Sequence, residues 1–306
     1  MTLQQLRYLR EVARRGLNIS SAANALSTSQ PGVSKQLRLL ENELAVEIFV
    51  RERGRIVELS ESGRKILLIA ERILKDTDSL REVGKELTEA SDGALVIATT
   101  HTQARYALPE VLKRFAARYP QVSVHLKHGT TRDIAQLIMS GNADIAIATE
   151  ALVLFHELAA IPCHSWERVV ITAPGHPLLK QAHLTLKHIA RYPIIAYGYE
   201  FTARQTIMSA FEASGLTPNV VLSAVDADMI KACVAQDMGI AILTRLAFNP
   251  ERDRNLCYLD ASHLFKSSTT YIGIRRRGFL RGYMYDFIEM FSPRLDRRTV
   301  ELATLD

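Results

Sequence analysis

The chain of 306 residues contains 38 Lys and Arg against 33 Asp and Glu, which gives a formal net charge of +5. Hydrophobic residues make up 47% and charged residues 23%, and these values exclude a disordered, collagen-like or disulfide-scaffold chain. The length predicts two or three domains. Cys163, Cys233 and Cys257 form no CxxC pair, so we expect reduced core cysteines and no metal site.

The first residues contain no apolar segment of the kind found in secretion signals. No stretch of the chain approaches the ~18 consecutive apolar residues that a membrane span requires. We therefore expect a cytoplasmic protein with no membrane partner.

The positive charge is concentrated near the N-terminus, where residues 1–58 carry nine basic and six acidic residues. The spacing of apolar residues after Thr2 predicts a first helix that ends at Gly16. Ser20 or Ser21 is expected to cap a second helix. The N-terminal region is therefore predicted to be a small helical domain.

A short turn leads to a third predicted helix, with Ser29 as its cap and Pro31 in its first turn. Two helices joined by a tight turn, with polar residues exposed on the second, are typical of a helix-turn-helix that enters the DNA major groove. The alternative is a helical bundle with a solvated face, and periodicity alone does not separate the two. The residues predicted to contact DNA on this helix are Gln30, Ser34, Lys35 and Arg38.

The segment after Phe49 predicts a two-stranded wing that turns at Gly54. Basic side chains on or near the tip of such a wing would reach phosphates or the minor groove. Three arginines are predicted to do so, namely Arg51, Arg53 and Arg55.

Residues 60–88 form one long helical pattern with an apolar seam, whose spacings alternate between three and four once the polar position Asp76 is counted. Such a seam is typical of helices that pair. The seam residues are Ile66, Ile69, Ile73, Leu80, Val83 and Leu87. A second stripe, Leu67, Ala70 and Leu74, predicts that the first half of the helix also packs on the basic domain. We expect dimerisation through this helix, and the alternative is a helix packed within one chain.

A polar hinge is predicted at 88–93, and strands alternate with helices beyond it. This alternation predicts an α/β fold. Two similar α/β halves, with strands that cross between them, would place a ligand cleft at their junction.

The densest polar cluster at a predicted strand end is Thr99-Thr100-His101-Thr102-Gln103, which leads directly into a helix. Ligands bind beyond the carboxyl ends of strands in α/β sheets, and a helix start offers free N–H groups to an anion. Such hydroxyls and an amide can hold sulfate or a carboxylate without any lysine. The alternative is ordinary helix capping by Thr100 or Thr102, which the cluster favours when taken alone. Thr149 and Thr202 follow other predicted strands, and several such strand ends favour a ligand cleft.

The sequence contains no GxSxG, HExxH, GxxxxGK[ST] or GxGxxG motif. His101 has no carboxylate nearby in sequence that would orient it as a base. We therefore predict no catalytic residue, no metal and no cofactor other than a small-molecule effector.

Five short segments occur in a specific order and spacing. They are Leu6-Arg-Tyr-Leu, Ser21-Ala-Ala-Asn-Ala-Leu26, Ser29-Gln-Pro-Gly-Val-Ser-Lys-Gln36, Leu39-Leu-Glu41 and Ile48-Phe-Val-Arg51. Together they resemble the DNA-binding domain of LysR-type transcriptional regulators. The resemblance covers essentially the whole chain and implies a winged helix-turn-helix, a long linker helix and an α/β effector domain of two periplasmic-binding-protein-like subdomains.

The resemblance also implies the domain boundaries. The winged domain is expected at 1–59, the linker helix and hinge at 60–92, and the effector domain at 93–306. Subdomain I is expected at about 93–162 and 267–306, and subdomain II at about 163–266.

Within that family, the segment from Ile97 to Pro109 is similar to the one that marks the CysB/Cbl branch, which controls sulfur assimilation. In that branch the effector cleft holds sulfate or an acetylserine-type inducer through threonines and a glutamine. The matching positions in this chain are Thr100, Thr102, Gln103, Thr149 and Thr202. The resemblance implies a ligand-responsive regulator of sulfur-source genes that binds double-stranded DNA, assembles as a tetramer of two linker-helix dimers, and works with RNA polymerase.

The chain departs from the branch pattern at Glu200-Phe-Thr-Ala-Arg-Gln205, where Gly-Phe-Thr-Gly-Arg-Ser is usual. The preceding loop, Tyr197-Gly-Tyr199, carries an extra aromatic residue. A LysR-type regulator for another anion, such as an aromatic sulfonate or carboxylate, is therefore the alternative. The basic N-terminal domain argues against a transport-type solute-binding protein, and the lack of acid–base pairs argues against an enzyme.

Overall fold

The computed structural model describes residues 1–52, 54–86 and 93–305. The chain forms two compact units, the first containing the N-terminal helices and the long helix, and the second most of the remaining residues. Among the helices of these described ranges, none has both the length and the apolar character needed to cross a membrane.

The N-terminal unit combines three short helices, a β-hairpin and one long helix. Its elements are α1 (Leu3–Arg14), α2 (Ile19–Ala25), α3 (Gln30–Leu44), β1 (Phe49–Glu52), β2 (Arg55–Leu59) and α4 (Glu61–Glu86). Thr2 caps α1 in a reciprocal capping box with Gln5, and Ser29 caps α3 by accepting from the Gly32 amide. Both caps confirm the helix starts predicted from local sequence.

The predicted cap of α2 was wrong. Asn18 caps the helix by accepting from the amide of Ser21, so both Ser20 and Ser21 lie inside it. Gly16 and Leu17 have φ angles of +62° and +65°. These left-handed residues turn the chain after α1, so that the second helix begins directly after Asn18.

The first half of α4 packs on the core of the N-terminal unit, chiefly against α1. Ala70 and Leu74 are buried in the same core as Leu9 and Leu37, and Leu67 packs partly against it. The predicted second apolar stripe is therefore confirmed, and α4 is part of the N-terminal unit.

The predicted seam divides into two groups of side chains. Ile66 and Ile73 pack partly against the core of their own unit, whereas Ile69 and Leu80 are 47% and 75% exposed. The Val83 side chain, Leu87 and the hinge residues 88–92 lie outside the described part of the chain.

The second unit contains two five-stranded sheets. Its strands are β3 (Gly93–Thr99), β4 (Val122–His128), β5 (Ile145–Thr149), β6 (Leu158–Trp166), β7 (Arg168–Thr172), β8 (Ile194–Tyr197), β9 (Val220–Ala224), β10 (Ile240–Thr244), β11 (Cys257–Asp260) and β12 (Ser268–Arg275). Its helices are α5 (Leu108–Arg118), α6 (Thr131–Met139), α7 (Leu186–Ile189), α8 (Thr202–Ala213), α9 (Ala227–Ala235), α10 (Gly282–Phe291) and α11 (Arg297–Leu305).

The two sheets have similar topology. The first has the order β4-β3-β5-β12-β6 and the second the order β11-β7-β10-β8-β9. In each sheet three neighbouring strands are parallel, β4-β3-β5 in one and β10-β8-β9 in the other. The remaining strands are antiparallel. The chain crosses between the sheets after β6 and returns before β12, which confirms the predicted α/β fold with two halves.

The sequence pattern did not reveal β6, β11, β12, α7 or α11. Strand β6 contains Pro162, which its place at the edge of the sheet tolerates. This strand pairs with β12 as far as Trp166, which lies opposite Ser268. The chain therefore leaves the first sheet after Trp166, and the expected subdomain boundary at 162 falls inside a strand.

Candidate functional site

Helix α3 exposes a polar face at its N-terminal end. Gln30, Lys35 and Arg38 are exposed and Ser34 is half-buried. These four side chains border one shallow depression, while the opposite face of the helix is buried in the core through Val33, Leu37 and Leu40. The structure thus brings the four predicted DNA-contacting residues of this helix together on one surface.

The wing arginines have different environments. Arg51 lies in β1 near the tip, one pair before the last pair of the hairpin, and its guanidinium donates to Glu41 at 2.7 Å and 3.1 Å. This ion pair holds the side chain against α3, and the predicted contact of Arg51 with DNA stays a prediction. Arg55 is exposed at the start of β2, and Arg53 lies outside the described residues.

A cleft lies between the two sheets of the second unit, and its cavity volume is about 70 Å³. All five residues predicted to bind an effector line this cleft. They are Thr100, Thr102, Gln103, Thr149 and Thr202. Their convergence follows from the topology, because β3 and β5 are adjacent parallel strands whose carboxyl ends meet at the cleft.

Helix N-termini surround the same cleft. α6 begins at Thr131 and α8 at Thr202, and both residues line the cavity. Asp226 also lines it, but its carboxylate accepts from the Met229 amide and caps α9. Free N–H groups at these helix starts favour an anion in the cleft.

The threonine hydroxyls are not consumed by helix capping. Thr100 Oγ1 lies 3.5 Å from the Gln103 amide, at the limit of a hydrogen bond, and Thr102 makes no capping bond. Thr102 Oγ1 lies 3.4 Å from the Tyr197 hydroxyl, and Thr149 Oγ1 lies 3.3 Å from that of Thr131. Each of these two hydroxyls thus contacts another hydroxyl that also lines the cleft.

Gln103 is held by partners on the last strand of the first sheet. Its Nε2 donates to Thr270 Oγ1 at 2.7 Å, and Trp166 Nε1 donates to the same oxygen at 2.9 Å. Gln103 Oε1 is buried without a hydrogen-bond partner among the described residues. Trp166 was not predicted as a site residue, because β6 was not predicted.

Arg168 is the main cleft residue that the sequence analysis missed. It is the first residue of β7 and only 1% exposed. Its three guanidinium nitrogens have no hydrogen-bond partner within the described ranges. Burial lowers the pKa of Arg168, while Tyr197 and Glu150 oppose this shift. The one sequence signal was a charged residue immediately before an apolar run.

One group of side chains at the cleft has ligand atoms close enough to hold a metal. The atoms belong to His101, Asp226 and Asp228 and lie within 4.8 Å of one another. Asp228, however, already accepts from Tyr106 and pairs with Arg105. Because its carboxylate is engaged in this network, the group is poorly suited to a metal, and the predicted lack of a metal stays a prediction.

The three cysteines are free. Burial raises the pKa of the Cys163 thiol to about 12, and its Sγ donates to the Thr270 carbonyl at 3.0 Å. A thiol with so high a pKa forms little thiolate near neutral pH. Cys163 is therefore unsuited to nucleophilic or redox chemistry.

Comparison with known proteins identifies the family. Residues 3–64 match the bacterial regulatory helix-turn-helix proteins of the lysR family, and residues 88–296 match the LysR substrate binding domain. The chain belongs to the LysR family. Its LysR-family relatives include the HTH-type transcriptional regulator SsuR of Burkholderia cenocepacia, 46% identical over 98% of this chain and 97% of that protein.

A second relative of this LysR-family chain is the regulator CysB of Haemophilus influenzae, 46% identical over 99% of this chain and 94% of that protein. Among solved structures, the cofactor-binding domain of the Cbl transcriptional regulator is 39% identical, with a TM-score of 0.67. That match covers 70% of this chain and 94% of the Cbl domain. The LysR-family protein is thus related to CysB, Cbl and SsuR and is a transcriptional regulator, not an enzyme.

Proposed function

We propose that this LysR-family protein binds double-stranded DNA as an oligomer and controls sulfur-assimilation or sulfur-source genes. In this proposal a small anionic metabolite binds in the cleft of the second unit and changes the activity of the regulator. Sulfate, O-acetylserine and N-acetylserine are the leading candidates. In this proposal the protein has one small-molecule partner, the effector, and RNA polymerase is its protein partner.

The convergence of Thr100, Thr102, Gln103, Thr149 and Thr202 on one cleft carries the proposal. Hydroxyl and amide donors, together with helix N-termini, suit an oxyanion of sulfur or a carboxylate. The similarity to regulators named SsuR and CysB supports the assignment to sulfur metabolism.

The extra aromatic residue of the loop, Tyr199, does not line the cleft. Of the two loop tyrosines that raised the aromatic alternative, Tyr197 forms part of the cleft wall. Tyr199 is 75% exposed and stacks on Arg204, with 3.7 Å from Cζ to the ring centroid.

The first test is thermal unfolding of the full chain against a ligand panel. The panel contains sulfate, thiosulfate, O-acetylserine, N-acetylserine, adenosine phosphosulfate and an aromatic sulfonate. A ligand at 100 times its Kd stabilises the native state by about 2.7 kcal/mol, which raises the Tm of the domain that binds it by several degrees.

We expect a sulfur-related ligand to raise the Tm of the wild type and Thr100→Ala to reduce that rise. Thr217→Ala is the matched control, because Thr217 is exposed and does not line the cleft. A rise with the aromatic sulfonate alone would replace the sulfur-assimilation proposal with the alternative. An equal rise in wild type and Thr100→Ala would contradict the assigned site.

A further inference from the structure

Buried polar atoms without partners are concentrated at the cleft. Ten such side-chain atoms occur among the described residues, and six of them belong to four residues that line the cleft. The four residues are His101, Gln103, Arg168 and Thr244. Because buried polar groups in folded proteins are nearly always hydrogen-bonded, this concentration indicates that a polar ligand completes the cleft.

Arg168 contributes half of these six atoms and is the only lysine or arginine among the four residues. Its backbone is fixed because β7 pairs with β10 on one side and β11 on the other. Thr244, whose hydroxyl also has no partner among the described residues, lies opposite Arg168 in the β7–β10 register. Arg168 is therefore buried on a fixed strand and lines the cleft.

Two acidic side chains lie near the cleft, and the charge of Glu150 acts on the guanidinium only from a distance. Glu150 accepts from the Thr269 amide at 3.2 Å and forms no ion pair with Arg168 among the described contacts. Asp226 is occupied in capping α9. A guanidinium stays protonated even when buried, and a buried unpaired charge is costly. An anion in the cleft would supply the missing countercharge.

Gln103 can adapt to the same ligand. Trp166 Nε1 can only donate, whereas the Thr270 hydroxyl can both accept and donate. A half-turn of the Gln103 carboxamide would let Thr270 donate to Oε1 and would place the NH₂ group where the unpartnered oxygen now lies. The cleft would then offer another donor to the anion.

We infer that Arg168 is the fixed positive charge of the effector cleft and pairs with a negatively charged sulfate, sulfonate or carboxylate group of the ligand. The cleft therefore selects small anions over uncharged compounds of the same shape. This inference rests on the proposed function, since it assigns the charge that the effector of the same cleft must carry.

The first experiment uses the wild-type full chain and calorimetric titration. Methanesulfonate is compared with dimethyl sulfone, which has a similar shape but no charge, and sodium sulfate is compared with sodium chloride at equal ionic strength. We expect sulfate or methanesulfonate to bind and dimethyl sulfone to bind at least about tenfold more weakly, because it cannot form a charge-assisted pair.

The second experiment compares Arg168→Met and Arg168→Lys with Arg191→Met, a control at an exposed arginine of the same unit. Arg168→Met should lose anion binding, yet its ligand-free Tm should equal or exceed that of the wild type, because a buried unpaired charge is removed. Arg168→Lys should bind more weakly than the wild type, since an ammonium lacks the forked geometry of a guanidinium. Arg191→Met should behave like the wild type.

The outcomes separate the inference from the proposed function. Equal anion binding by wild type and Arg168→Met overturns the role of Arg168 and leaves an anion-responsive regulator in place. Equal binding of methanesulfonate and dimethyl sulfone overturns the charge selectivity inferred for the cleft. A lower ligand-free Tm in Arg168→Met also overturns it, because the guanidinium would then be compensated within the protein. No binding of any panel ligand by the wild type contradicts the proposed effector class itself.

Discussion

The single residue Glu41 joins the wing to helix α3. This carboxylate is 7% exposed and accepts from the Ile48 and Phe49 amides and from the Arg51 guanidinium. Burial alone would raise the pKa of Glu41, but the hydrogen bonds from Arg51 and the two amides reverse this effect and lower the pKa below its ordinary value. Glu41 therefore stabilises the folded wing in its charged form.

Replacing Glu41 with Gln should lower the free energy of unfolding of the N-terminal unit by about 1–3 kcal/mol, because charge-assisted bonds are lost in a buried site. Urea unfolding of the full chain, followed by a probe in this unit, measures the effect. Glu58→Gln is the control, because Glu58 is exposed and only 3.6 Å from an equally exposed Arg64, and it should change little.

The Glu41 contribution should also depend on pH. Since its folded pKa is lowered, the stabilisation is complete above the unfolded value, near 4.5, and is lost as pH falls through the folded pKa. The difference between wild type and Glu41→Gln should therefore shrink between neutral pH and pH values below about 4. A constant difference over that range would show that the charge of Glu41 is not the source of its effect.

Helix α3 is the element whose exposed face determines DNA affinity in the proposed function. Lys35→Ala and Arg38→Ala should each weaken binding to duplex DNA and reduce the slope of log affinity against log salt by about one. Fluorescence anisotropy at several salt concentrations measures both quantities. Lys187→Ala is the control, since Lys187 is exposed in the second unit, and an unchanged slope in both α3 variants would refute the assigned face.

The elements were predicted unequally well for identifiable reasons. Helices such as α1 and α3 carry their caps and apolar spacing within one short segment, so local sequence suffices to place them. Strands β6 and β12 lack a regular alternation of apolar and polar residues, and β6 contains Pro162. They become strands because they pair with each other along most of their length, from Leu158 opposite Arg275 to Trp166 opposite Ser268.

The long helix α4 bears on the assembly of the whole molecule. Ile69 and Leu80 leave apolar surface exposed on the helix that the sequence predicts to pair with a second copy. Ile69→Glu should therefore lower the mass measured by light scattering and weaken DNA binding, because a charge would be buried in the paired helices. Arg64→Ala, at an exposed polar position of the same helix, should retain the mass of the wild type. If Ile69→Glu keeps that mass as well, Ile69 does not contribute to the dimer.

The sequence by itself predicted the N-terminal helices, the long helix, the two-stranded wing, the α/β character of the second unit and the polar strand ends that line the cleft. Each of these depends on short segments, in which caps, apolar spacing and polar strand ends are read directly. The resemblance to LysR-type regulators predicted that residues from these strand ends line one cleft.

Only the tertiary structure decided the character of that cleft. Gln103 meets Thr270 across 167 positions of sequence, and Trp166 joins them from another strand. Arg168 looks like a surface residue in the sequence, but the pairing of β7 with its two neighbours buries it, and its guanidinium has no hydrogen-bond partner in the part of the chain that the structure describes. Burial and the absence of a countercharge are properties of packing between distant segments, so no local pattern could reveal the charge at the centre of the site.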